Sequence, residues 1–530
     1  MQTLPSRRAP LLLAALCAWA PACVGMAPAG DVALDVALDV TLPEVLAHMR
    51  SALGWEVLAA GDHGWQTSGT CLAQGVPGTF QELFRVDGRF VHHTRSELGG
   101  SQGYDGRTAW ARDATGMPRV LSLSSRDDVL AGSWLAHGLW LDPQDGRLAV
   151  TLDAERSSAE TLALLLSMPG RPWHATLVVD RETWLPVAFL QERLGGTRRV
   201  EFSDWHAPRG FQVAHRIVAT GVGDGVSTYT VEAVEPLPTF VRDPFAVVPG
   251  RPADTTWDAQ APAELEVRRT RSGHLLVHPL LDGQDVGWFL LDSGAGMNCI
   301  DPGVADELGW ESFGEVAVVG TGGASGGRYR RGGQLVLGPV SVAGTPFLEL
   351  DLSALEPVFG VPLGGVMGYD LFARAVVVVD LQASRVWLHD PESWEPPAQV
   401  ELAVLDSSVP CVRCRFAGYE GWFRLDTGSD DTVTFHAPAV QELGLTRGRL
   451  DLSQVSLQGV GGVVLADRGR ITWFELGGRR FERLPVTYMR PSEGALDAVY
   501  TAGNIGGGLL REFRVAFDLG RRQVAFLERE

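Results

Sequence analysis

An eight-residue segment occurs twice in this chain, and this repeat constrains the fold more than any other feature. The first copy, GWFLLDSG, contains Asp292, and the second, GWFRLDTG, contains Asp426, which lies 134 residues further along. Six of the eight positions are identical. A single Asp-Ser/Thr-Gly triplet would be weak support for any function, because short motifs arise by chance. Two copies indicate a duplicated unit that contributes one carboxyl group from each half.

The similarity extends well beyond the two triplets. In each copy a predicted β-hairpin leads into the aspartate, and a short helix, a glycine-rich segment and an apolar-glycine element with a closing strand follow. These segments are 275–294, 301–310, 320–327 and 365–388 in the first copy, and 409–428, 436–445, 459–462 and 503–526 in the second.

This order of parts over residues 263–530 resembles the retropepsin-like aspartic proteases. The resemblance implies a mainly β, bilobal pepsin/retropepsin-like acid-protease fold, with lobe one over residues 263–393 and lobe two over residues 394–530. Retroviral members use one lobe twice, as a homodimer, whereas this chain carries both lobes. We therefore expect an intramolecular pseudo-dimer in which the peptidase half is monomeric. Lobe two departs from the family pattern at Asn504, where an apolar residue is usual.

The resemblance assigns the catalytic role to Asp292 and Asp426. Hydrolysis of a peptide bond by water needs a base for the water and an acid for the carbonyl oxygen, and two adjacent carboxyl groups supply both. Because two like charges at such a distance do not both ionise readily, the pair tends to share one proton. This chemistry requires no metal and no cofactor. The expected partner is a protein or peptide substrate.

Residues next to the aspartates receive supporting roles. The hydroxyl groups of Ser293 and Thr427 are expected to lock the two loops together, and Gly294 and Gly428 leave room for backbone N–H groups to approach the carboxylates. The glycine-rich segments have two interpretations that remain open: mobile flaps that close over substrate, or plain hairpin tips. The candidate flap residues are Gly320, Thr321, Gly322 and Gly323 in lobe one and Gly459, Val460, Gly461 and Gly462 in lobe two.

The first half of the chain has a different pattern. Residues 35–248 contain many alternating apolar segments separated by short polar turns, including a hairpin signal at Asp87-Gly88, and this predicts a large antiparallel sheet. A capping box at Thr41 predicts one helix, and a second capping box predicts another that starts at Ser157. Residues 249–262 are rich in Pro, Ala and Asp, which is typical of a linker.

Three segments of this half, GYDGRTAW (103–110), VVDRETWLPVAF (178–189) and the meander at 202–217, resemble the lipoprotein carriers of the LolA/LolB/RseB type. The resemblance implies a LolA-like antiparallel half-barrel that wraps over helices and encloses an apolar cavity, and it makes a lipid or lipoprotein a candidate ligand. The tryptophans of this half have two interpretations, pocket lining or ordinary core packing. They are Trp55, Trp65, Trp110, Trp134, Trp140, Trp173, Trp184 and Trp205.

The N-terminus predicts export. Residues 1–22 have basic residues, a short apolar stretch and small residues in the order typical of a signal peptide, which favours a periplasmic or secreted protein. Cys23 leaves a lipoprotein as an alternative, although Ala20 and Pro21 fit that signal poorly. The net charge of −19 argues against a nucleic-acid partner, which would need a basic surface.

The cysteines and histidines offer no second chemical site. Cys411 and Cys414 form a CxxC motif within a predicted strand, where their Cα atoms would lie ~10 Å apart, beyond the reach of a disulfide bond. His92 and His93 occupy adjacent strand positions and face opposite sides of the sheet, which predicts surface positions and no shared metal.

Two functions remain as hypotheses from the sequence. The first is an exported aspartic endopeptidase that hydrolyses peptide bonds with a water activated by Asp292 and Asp426. The alternative is a non-catalytic envelope protein that binds a lipid, a lipoprotein or a peptide. Retention of the aspartate, the hydroxyl residue and the glycine in both copies favours the first.

Overall fold

The computed structural model describes residues 39–60, 64–142, 144–221, 225–247, 252–492 and 494–529. The predicted signal peptide at residues 1–22 and Cys23 lie outside the described residues. The chain is 46% strand and 14% helix, so the mainly β fold class is confirmed. Within the described ranges no helix is long and apolar enough to cross a bilayer.

The first half forms one sheet of 13 antiparallel strands. In spatial order its strands are Pro118–Val120, Ala109–Arg112, Gly100–Tyr104, Phe90–Arg95, Val76–Phe84, Trp65–Ala73, Gly225–Pro236, Val213–Gly221, Gly196–His206, Pro186–Arg193, His174–Asp180, Thr161–Ser167 and Ala149–Asp153. Buried and exposed positions alternate along strands such as Gly225–Pro236, as expected of a sheet with one face on a core. The predicted hairpin at Asp87-Gly88 is confirmed, because it joins two paired strands.

Helices pack against one face of this sheet. They are Leu42–Leu53, Trp55–Ala59 and Leu123–Ala136, with a 3-10 turn at Leu139–Leu141. The predicted capping box is present, because Thr41 N donates to Glu44 Oε2 at 2.8 Å, and Gly54 ends the first helix with a φ of 67°. Residues Val45 and Met49 of that helix are fully buried in the core beneath the sheet.

The prediction of a second helix in this half, starting at Ser157, is wrong. Residues 161–167 form a strand that pairs on both sides with neighbouring strands of the sheet. A short apolar run is compatible with either a buried helix or a buried strand, and here pairing on two sides decides in favour of the strand. Ser157 is part of the turn that precedes it, because its Oγ donates to Asp153 O at 2.6 Å and accepts from Ala163 N at 3.0 Å.

Lobe one contains two sheets. The eight-stranded sheet has the order Val267–Arg269, Leu275–Val277, Phe289–Leu291, Gly365–Met367, Cys299–Ile300, Phe347–Glu349, Gly323–Arg330 and Ser312–Gly320. The five-stranded sheet has the order Thr255–Trp257, Val340–Ala343, Gln334–Leu337, Leu280–Leu281 and Gln284–Asp285. Short helices lie at Pro302–Glu307, Glu356–Phe359 and Tyr369–Arg374, with a 3-10 turn at Ser353–Leu355. Part of the segment expected to be a linker thus pairs with lobe one, at Thr255–Trp257.

Lobe two repeats the central arrangement of lobe one. Its main sheet has the order Ser453–Gly459, Gly462–Arg470, Pro485–Met489, Val433–Phe435, Gly503–Gly506, Tyr419–Asp426, Val409–Phe416, Trp473–Leu476 and Arg479–Glu482, with Val404–Asp406 paired to Val409–Phe416. The helices are Ala437–Glu442 and Gly507–Leu510, with a 3-10 turn at Ala495–Asp497. In both lobes the strand that leads into the aspartate pairs in parallel with the apolar-glycine strand.

A further sheet of five strands joins the two lobes. Its strands, in spatial order, are Arg385–His389, Val376–Asp380, Arg514–Asp518, Gln523–Leu527 and Glu401–Leu402. Val378 of lobe one and Ala516 of lobe two are paired at its centre, so the lobes share backbone hydrogen bonds. Buried side chains of both lobes also form a single hydrophobic cluster that includes Phe289, Phe423 and Phe517. The two loops that carry the aspartates are held between these lobes.

The first half contacts both lobes through hydrogen bonds to buried polar groups of the lobes. Arg374 of lobe one donates to Asp254 Oδ2 at 2.8 Å and to Thr115 Oγ1 at 2.9 Å. Ser124 of the helix Leu123–Ala136 donates to Asp406 Oδ1 of lobe two at 3.1 Å. The sheet of the first half and the lobes therefore pack through specific hydrogen bonds.

Candidate active site

Equivalent turns position the two aspartates. Asp292 follows the strand Phe289–Leu291, and its backbone N–H donates to Met367 O at 3.0 Å. Asp426 ends the strand Tyr419–Asp426, where it is paired with Gly506. Because both strands are central in their sheets, the two carboxyl groups emerge from rigid elements and meet at the lobe junction.

The residues that follow the aspartates connect the two turns. Thr427 Oγ1 accepts from Ser293 N at 2.9 Å and donates to Leu291 O at 2.8 Å. Ser293 Oγ accepts from Thr427 N at 3.1 Å and donates to Leu425 O at 2.8 Å. Ser293 and Thr427 are 1% and 3% exposed, so these four hydrogen bonds lie in the interior. The structure thus places both hydroxyl groups where the sequence hypothesis requires them.

The two triplet glycines lie against the carboxyl groups of the opposite lobe. A Cβ atom added at Gly428 would lie 2.4 Å from Asp292 Cγ, and one added at Gly294 would lie 2.7 Å from Asp426 Cγ. Neither position has room for any side chain, so the glycines permit the close approach of the two turns. Gly294 N donates to Asp292 Oδ1 at 2.7 Å, and Gly428 N donates to Asp426 Oδ1 at 3.1 Å.

Burial and mutual repulsion shift the titration of the pair. Burial, and then the neighbouring charge of Asp426, raise the pKa of Asp292 to about 7. Burial also raises the pKa of Asp426, and it is opposed by the amide of Asn504, the N–H of Gly428 and the guanidinium of Arg424. Because ionisation of one carboxyl group opposes ionisation of the other, the two shifts favour a pair that holds one proton.

Two β-hairpins extend over the lobe junction and carry all eight candidate flap residues. They are formed by Ser312–Gly320 with Gly323–Arg330 and by Ser453–Gly459 with Gly462–Arg470. Their tips touch, because Gly322 N donates to Val460 O at 2.9 Å. The structure thus brings the two glycine-rich segments together, and their movement during a reaction remains an expectation.

A histidine that the sequence hypothesis did not single out supports the loop of lobe two. His274 Nε2 donates to Gly428 O at 3.0 Å, and its Nδ1 accepts from Ser272 Oγ at 2.8 Å. Burial lowers the pKa of His274, which favours the neutral ring with one donor and one acceptor nitrogen that these two hydrogen bonds need. No sequence motif marked this residue, because the turn that it contacts lies more than 150 positions away.

A polar chain in lobe two ends at Asp426. Asn504 Nδ2 donates to Asp426 Oδ2 at 2.9 Å, and Asn504 Oδ1 accepts from His436 Nε2 at 2.9 Å. Behind them, His436 Nδ1 lies 3.0 Å from Thr501 Oγ1. The sequence marked Asn504 only as a departure from an apolar position, and it gave no signal for His436 or Thr501.

Cysteines and metals offer no second centre in the part of the chain that the structure describes. Cys411 and Cys414 are both free and buried within the strand Val409–Phe416. In these ranges no group of three or more His, Cys, Asp or Glu side chains is placed to hold a metal ion.

A cavity lies under the sheet of the first half. It has a volume of about 200 Å³ and a mainly apolar lining that includes Trp55, Trp140 and Trp205. Trp110 and Trp173 are instead packed in the core, so the tryptophans divide between the two interpretations. Glu82 lines the cavity and contacts His137 Nε2 at 2.7 Å and His92 Nδ1 at 2.9 Å. The predicted surface position of His92 is wrong, because its side of the strand faces this cavity and leaves it 6% exposed.

The two lobes and their paired carboxyl groups have a bilobal arrangement similar to that of acid proteases. Residues 277–371 and 412–510 each match the aspartyl protease family model. Each matched segment contains one Asp-Ser/Thr-Gly triplet, so the resemblance inferred from the sequence is confirmed for both lobes.

Several solved structures are similar to parts of the chain at low identity. A retropepsin-like aspartic protease from Rickettsia conorii is 17% identical, with 25% of this chain and 93% of that chain covered and a TM-score of 0.19. A LolA superfamily protein from Nitrosomonas europaea is 15% identical, with coverages of 38% and 95% and a TM-score of 0.28. Soybean basic 7S globulin is 12% identical, with coverages of 50% and 94% and a TM-score of 0.32. The comparison with curated proteins returned no match.

Proposed function

We propose that the chain is an aspartic endopeptidase in which Asp292 and Asp426 act together on one bound water. The observation that carries the proposal is the reciprocal bonding of the two triplets, in which each hydroxyl side chain accepts the backbone N–H of the other lobe. This bonding supports a fixed distance between the carboxyl groups. A pair of loops that served only to stabilise each lobe would have no need to meet.

The proposed reaction begins with one ionised and one protonated carboxyl group. The ionised group accepts a proton from the water while the water oxygen bonds to the peptide carbonyl carbon. The protonated group gives its proton to the carbonyl oxygen, which forms a neutral tetrahedral diol. The C–N bond then breaks, and the amine nitrogen takes the proton that the first group accepted from water. One diol hydroxyl returns a proton to the carboxyl group that was protonated at the start. An acid and an amine leave, and the starting protonation state is restored.

The two hairpins supply the environment for this reaction. Their tips meet through Gly322 and Val460, so an extended substrate between them and the aspartates would be covered on both sides. Removal of water strengthens every electrostatic interaction within such a site. Substrate entry requires the tips to separate, which supports the interpretation of these hairpins as flaps.

The proposal is tested by incubating the purified chain with an unfolded protein at mildly acid pH and identifying new peptide termini by mass spectrometry. A statine-type transition-state mimic should abolish the cleavage, whereas a metal chelator should leave it unchanged. Cleavage that resists the mimic or is abolished by the chelator would show a different mechanism.

We propose as a second function that the first half binds an apolar ligand such as a lipid or the acyl chain of a lipoprotein. The mainly apolar cavity of about 200 Å³ favours this function, because apolar pockets with few polar groups are typical of ligand sites. A fluorescent fatty acid should bind to the full chain, and Ile217→Trp, which fills the cavity, should abolish binding. The exposed Val241→Trp serves as a matched control outside the cavity. Equal binding by both variants would exclude the cavity as the site.

We also propose that the chain is exported to the periplasm or beyond and that its peptidase half acts as a monomer. The leader pattern of residues 1–22 supports export, and the presence of both lobes in one chain supports a complete site within one molecule. Cell fractionation with sequencing of the mature N-terminus tests the first part. Specific activity that falls on dilution, together with dimers in size-exclusion chromatography, would contradict the second.

A further inference from the structure

The two lobes differ at one position directly beside the carboxyl groups. In lobe one, Val366 pairs with Leu290, two residues before Asp292. In lobe two, Asn504 pairs with Arg424, two residues before Asp426. The strand registers therefore make Val366 and Asn504 equivalent, and an apolar side chain in one lobe corresponds to an amide in the other.

The amide is the first member of a buried chain of hydrogen bonds. It donates to Asp426 Oδ2 at 2.9 Å and accepts from His436 Nε2 at 2.9 Å, and His436 Nδ1 lies 3.0 Å from Thr501 Oγ1. Asn504, His436 and Thr501 are 9%, 0% and 3% exposed. Burial lowers the pKa of His436 to about 3, so the ring is neutral and has one donor and one acceptor nitrogen.

The groups at the two ends of this series of hydrogen bonds allow two directions of donation. A hydroxyl group at Thr501 can donate to Nδ1, which leaves the proton of His436 on Nε2 and directs it at the amide oxygen of Asn504. The amide nitrogen then faces Asp426 and can only donate. The Thr501 carbonyl, at 3.2 Å from Nδ1, would favour the opposite direction, with the amide oxygen toward a protonated Asp426.

Charge decides between these two directions. The guanidinium of Arg424 lies on the same strand as Asp426 and favours its ionised form. The charged or titratable groups that act on Asp426 are Asp292, Arg424 and His274. Asp406 lies behind Arg424, Asp430 lies behind His274, and His436 reaches Asp426 only through Asn504. In lobe one, the donors to the Asp292 carboxyl group among the described residues are backbone N–H groups.

We propose that Asn504, held by His436 and Thr501, is a positioning residue that keeps the negative charge on Asp426 and leaves the shared proton on Asp292. This inference rests on the proposed peptidase function and gives the two aspartates different roles. Asp426 is then the base that takes the proton of the attacking water. Asp292 is the acid that donates to the peptide carbonyl oxygen.

The inference is tested by the pH dependence of kcat/KM in Asn504→Val, a change whose side chain lobe one already accommodates at the equivalent position. Loss of the donor should raise the lower pKa of the pair, so the acid limb should move to higher pH by about one unit, and kcat should fall more than KM changes. Thr501→Val, which keeps the side-chain shape, should shift the limb in the same direction by a smaller amount. It also serves if Asn504→Val does not fold.

Thr487→Val is the matched control. Thr487 is 1% exposed and donates to Asp431 Oδ2 at 2.8 Å, so the variant also loses a buried hydrogen bond in lobe two without touching the pair. Its acid limb should coincide with that of the unmodified protein. If the acid limbs of Asn504→Val and Thr501→Val also coincide with that of the unmodified protein, the inference is overturned and the peptidase function stays intact.

A measurement without substrate separates the two claims. The protein is labelled with ¹³C at the aspartate carboxyl carbons, and each of the two signals is assigned by its absence from Asp292→Asn or from Asp426→Asn. In the unmodified protein, the signal of Asp426 should titrate at lower pH than the signal of Asp292. Titration of Asp292 at the lower pH would overturn the inference. A chain that shows the expected titration order and cleaves nothing would contradict the proposed function alone.

Discussion

Ser293 and Thr427 are bonded to each other across the lobe junction, each through its hydroxyl oxygen to the other's backbone N–H, at 3.1 Å and 2.9 Å. The two residues are separated by 134 positions in the chain. Because each hydroxyl group also donates to a backbone carbonyl of the opposite lobe, the two turns form one rigid unit. The distance between Asp292 and Asp426 therefore depends on this contact.

Removal of one of these hydroxyl groups should weaken both the fold and the site. Ser293→Ala leaves the Leu425 carbonyl and the Thr427 N–H buried without their partner. We expect the free energy of unfolding to fall by about 1–3 kcal/mol, and kcat to fall with it. Denaturant titration measures the first and peptide cleavage the second. Ser312→Ala, at an exposed strand position, should change neither. Equal behaviour of the two variants would mean that the contact does not fix the site.

A side chain at a flap tip should disturb substrate access without unfolding the lobes. A Cβ atom at Gly322 would lie 2.3 Å from Gly462 N of the other flap. We therefore expect Gly322→Ala to separate the tips, to raise KM and to lower kcat, with an unchanged unfolding midpoint. Ala324→Ser, at an exposed position of the same hairpin, is the control. Unchanged kinetics in Gly322→Ala would indicate that tip contact is not needed for activity.

The raised pKa of Asp292 predicts a stability that depends on pH. The pKa in the folded state, about 7, lies above the ordinary value of 3.8, so the fold favours the protonated group. Its contribution is fully present below pH 3.8 and is lost as the pH rises through 7. Relative to the unmodified protein, Asp292→Asn should gain roughly 2–4 kcal/mol of stability between these limits.

Urea unfolding at several pH values measures this difference. The exposed Glu307→Gln should run parallel to the unmodified protein across the whole range. A stability difference for Asp292→Asn that stays constant with pH would show that Asp292 titrates as an ordinary surface carboxyl group.

The contact between lobe one and the segment before it predicts a large effect at one arginine. Arg374 is 3% exposed and is paired with the nearly buried Asp254. Because Arg374→Met leaves this carboxylate buried and unpaired, we expect a loss of about 3–5 kcal/mol in the free energy of unfolding. Arg385→Met breaks the exposed pair with Glu264 and should change stability little. Similar losses in both variants would contradict a specific role for the buried pair.

The fold of the lobes was predictable because the two copies of the repeat could be compared with each other. Matching segments around Asp292 and Asp426 imply matching structures, and the parallel pairing of both aspartate strands agrees with that. The sheet between the lobes was not predicted. Its central pairs, such as Val378 with Ala516, join strands more than 130 residues apart, and no local pattern encodes such a register.

Two errors in the first half have identifiable physical causes. The helix Leu123–Ala136 was missed because Asp127 and Asp128 interrupt its apolar stripe. Both are buried, and Tyr500 of lobe two donates to Asp127 Oδ2 at 3.1 Å. An amphipathic pattern fails to mark a helix when tertiary partners satisfy charged groups on its buried face. The helix prediction at Thr161–Ser167 failed for a different reason, because this run of apolar residues shows no periodicity that separates a helix from a strand.

The candidate site was recognisable only in part for a similar reason. Asp292, Asp426 and their neighbours belong to a motif, so their sequence positions identify them. His274, His436 and Thr501 act through contacts that the fold creates, and no motif marks them, although His436 begins the repeated segment 436–445. Asn504 was visible as an exception to the repeat, although its partner Asp426 could be named only from the structure.

The central claim is that Asp292 and Asp426 form one catalytic pair, and the most direct test is cleavage of an unfolded protein by Asp292→Asn and Asp426→Asn, made separately. Because asparagine has nearly the size and shape of aspartate and fits the close contacts with Gly428 and Gly294, each variant should keep its fold. Each should lose cleavage at mildly acid pH to below about a thousandth of the original rate, since neither carboxyl group alone supplies both acid and base. Full activity in either variant would contradict the claim.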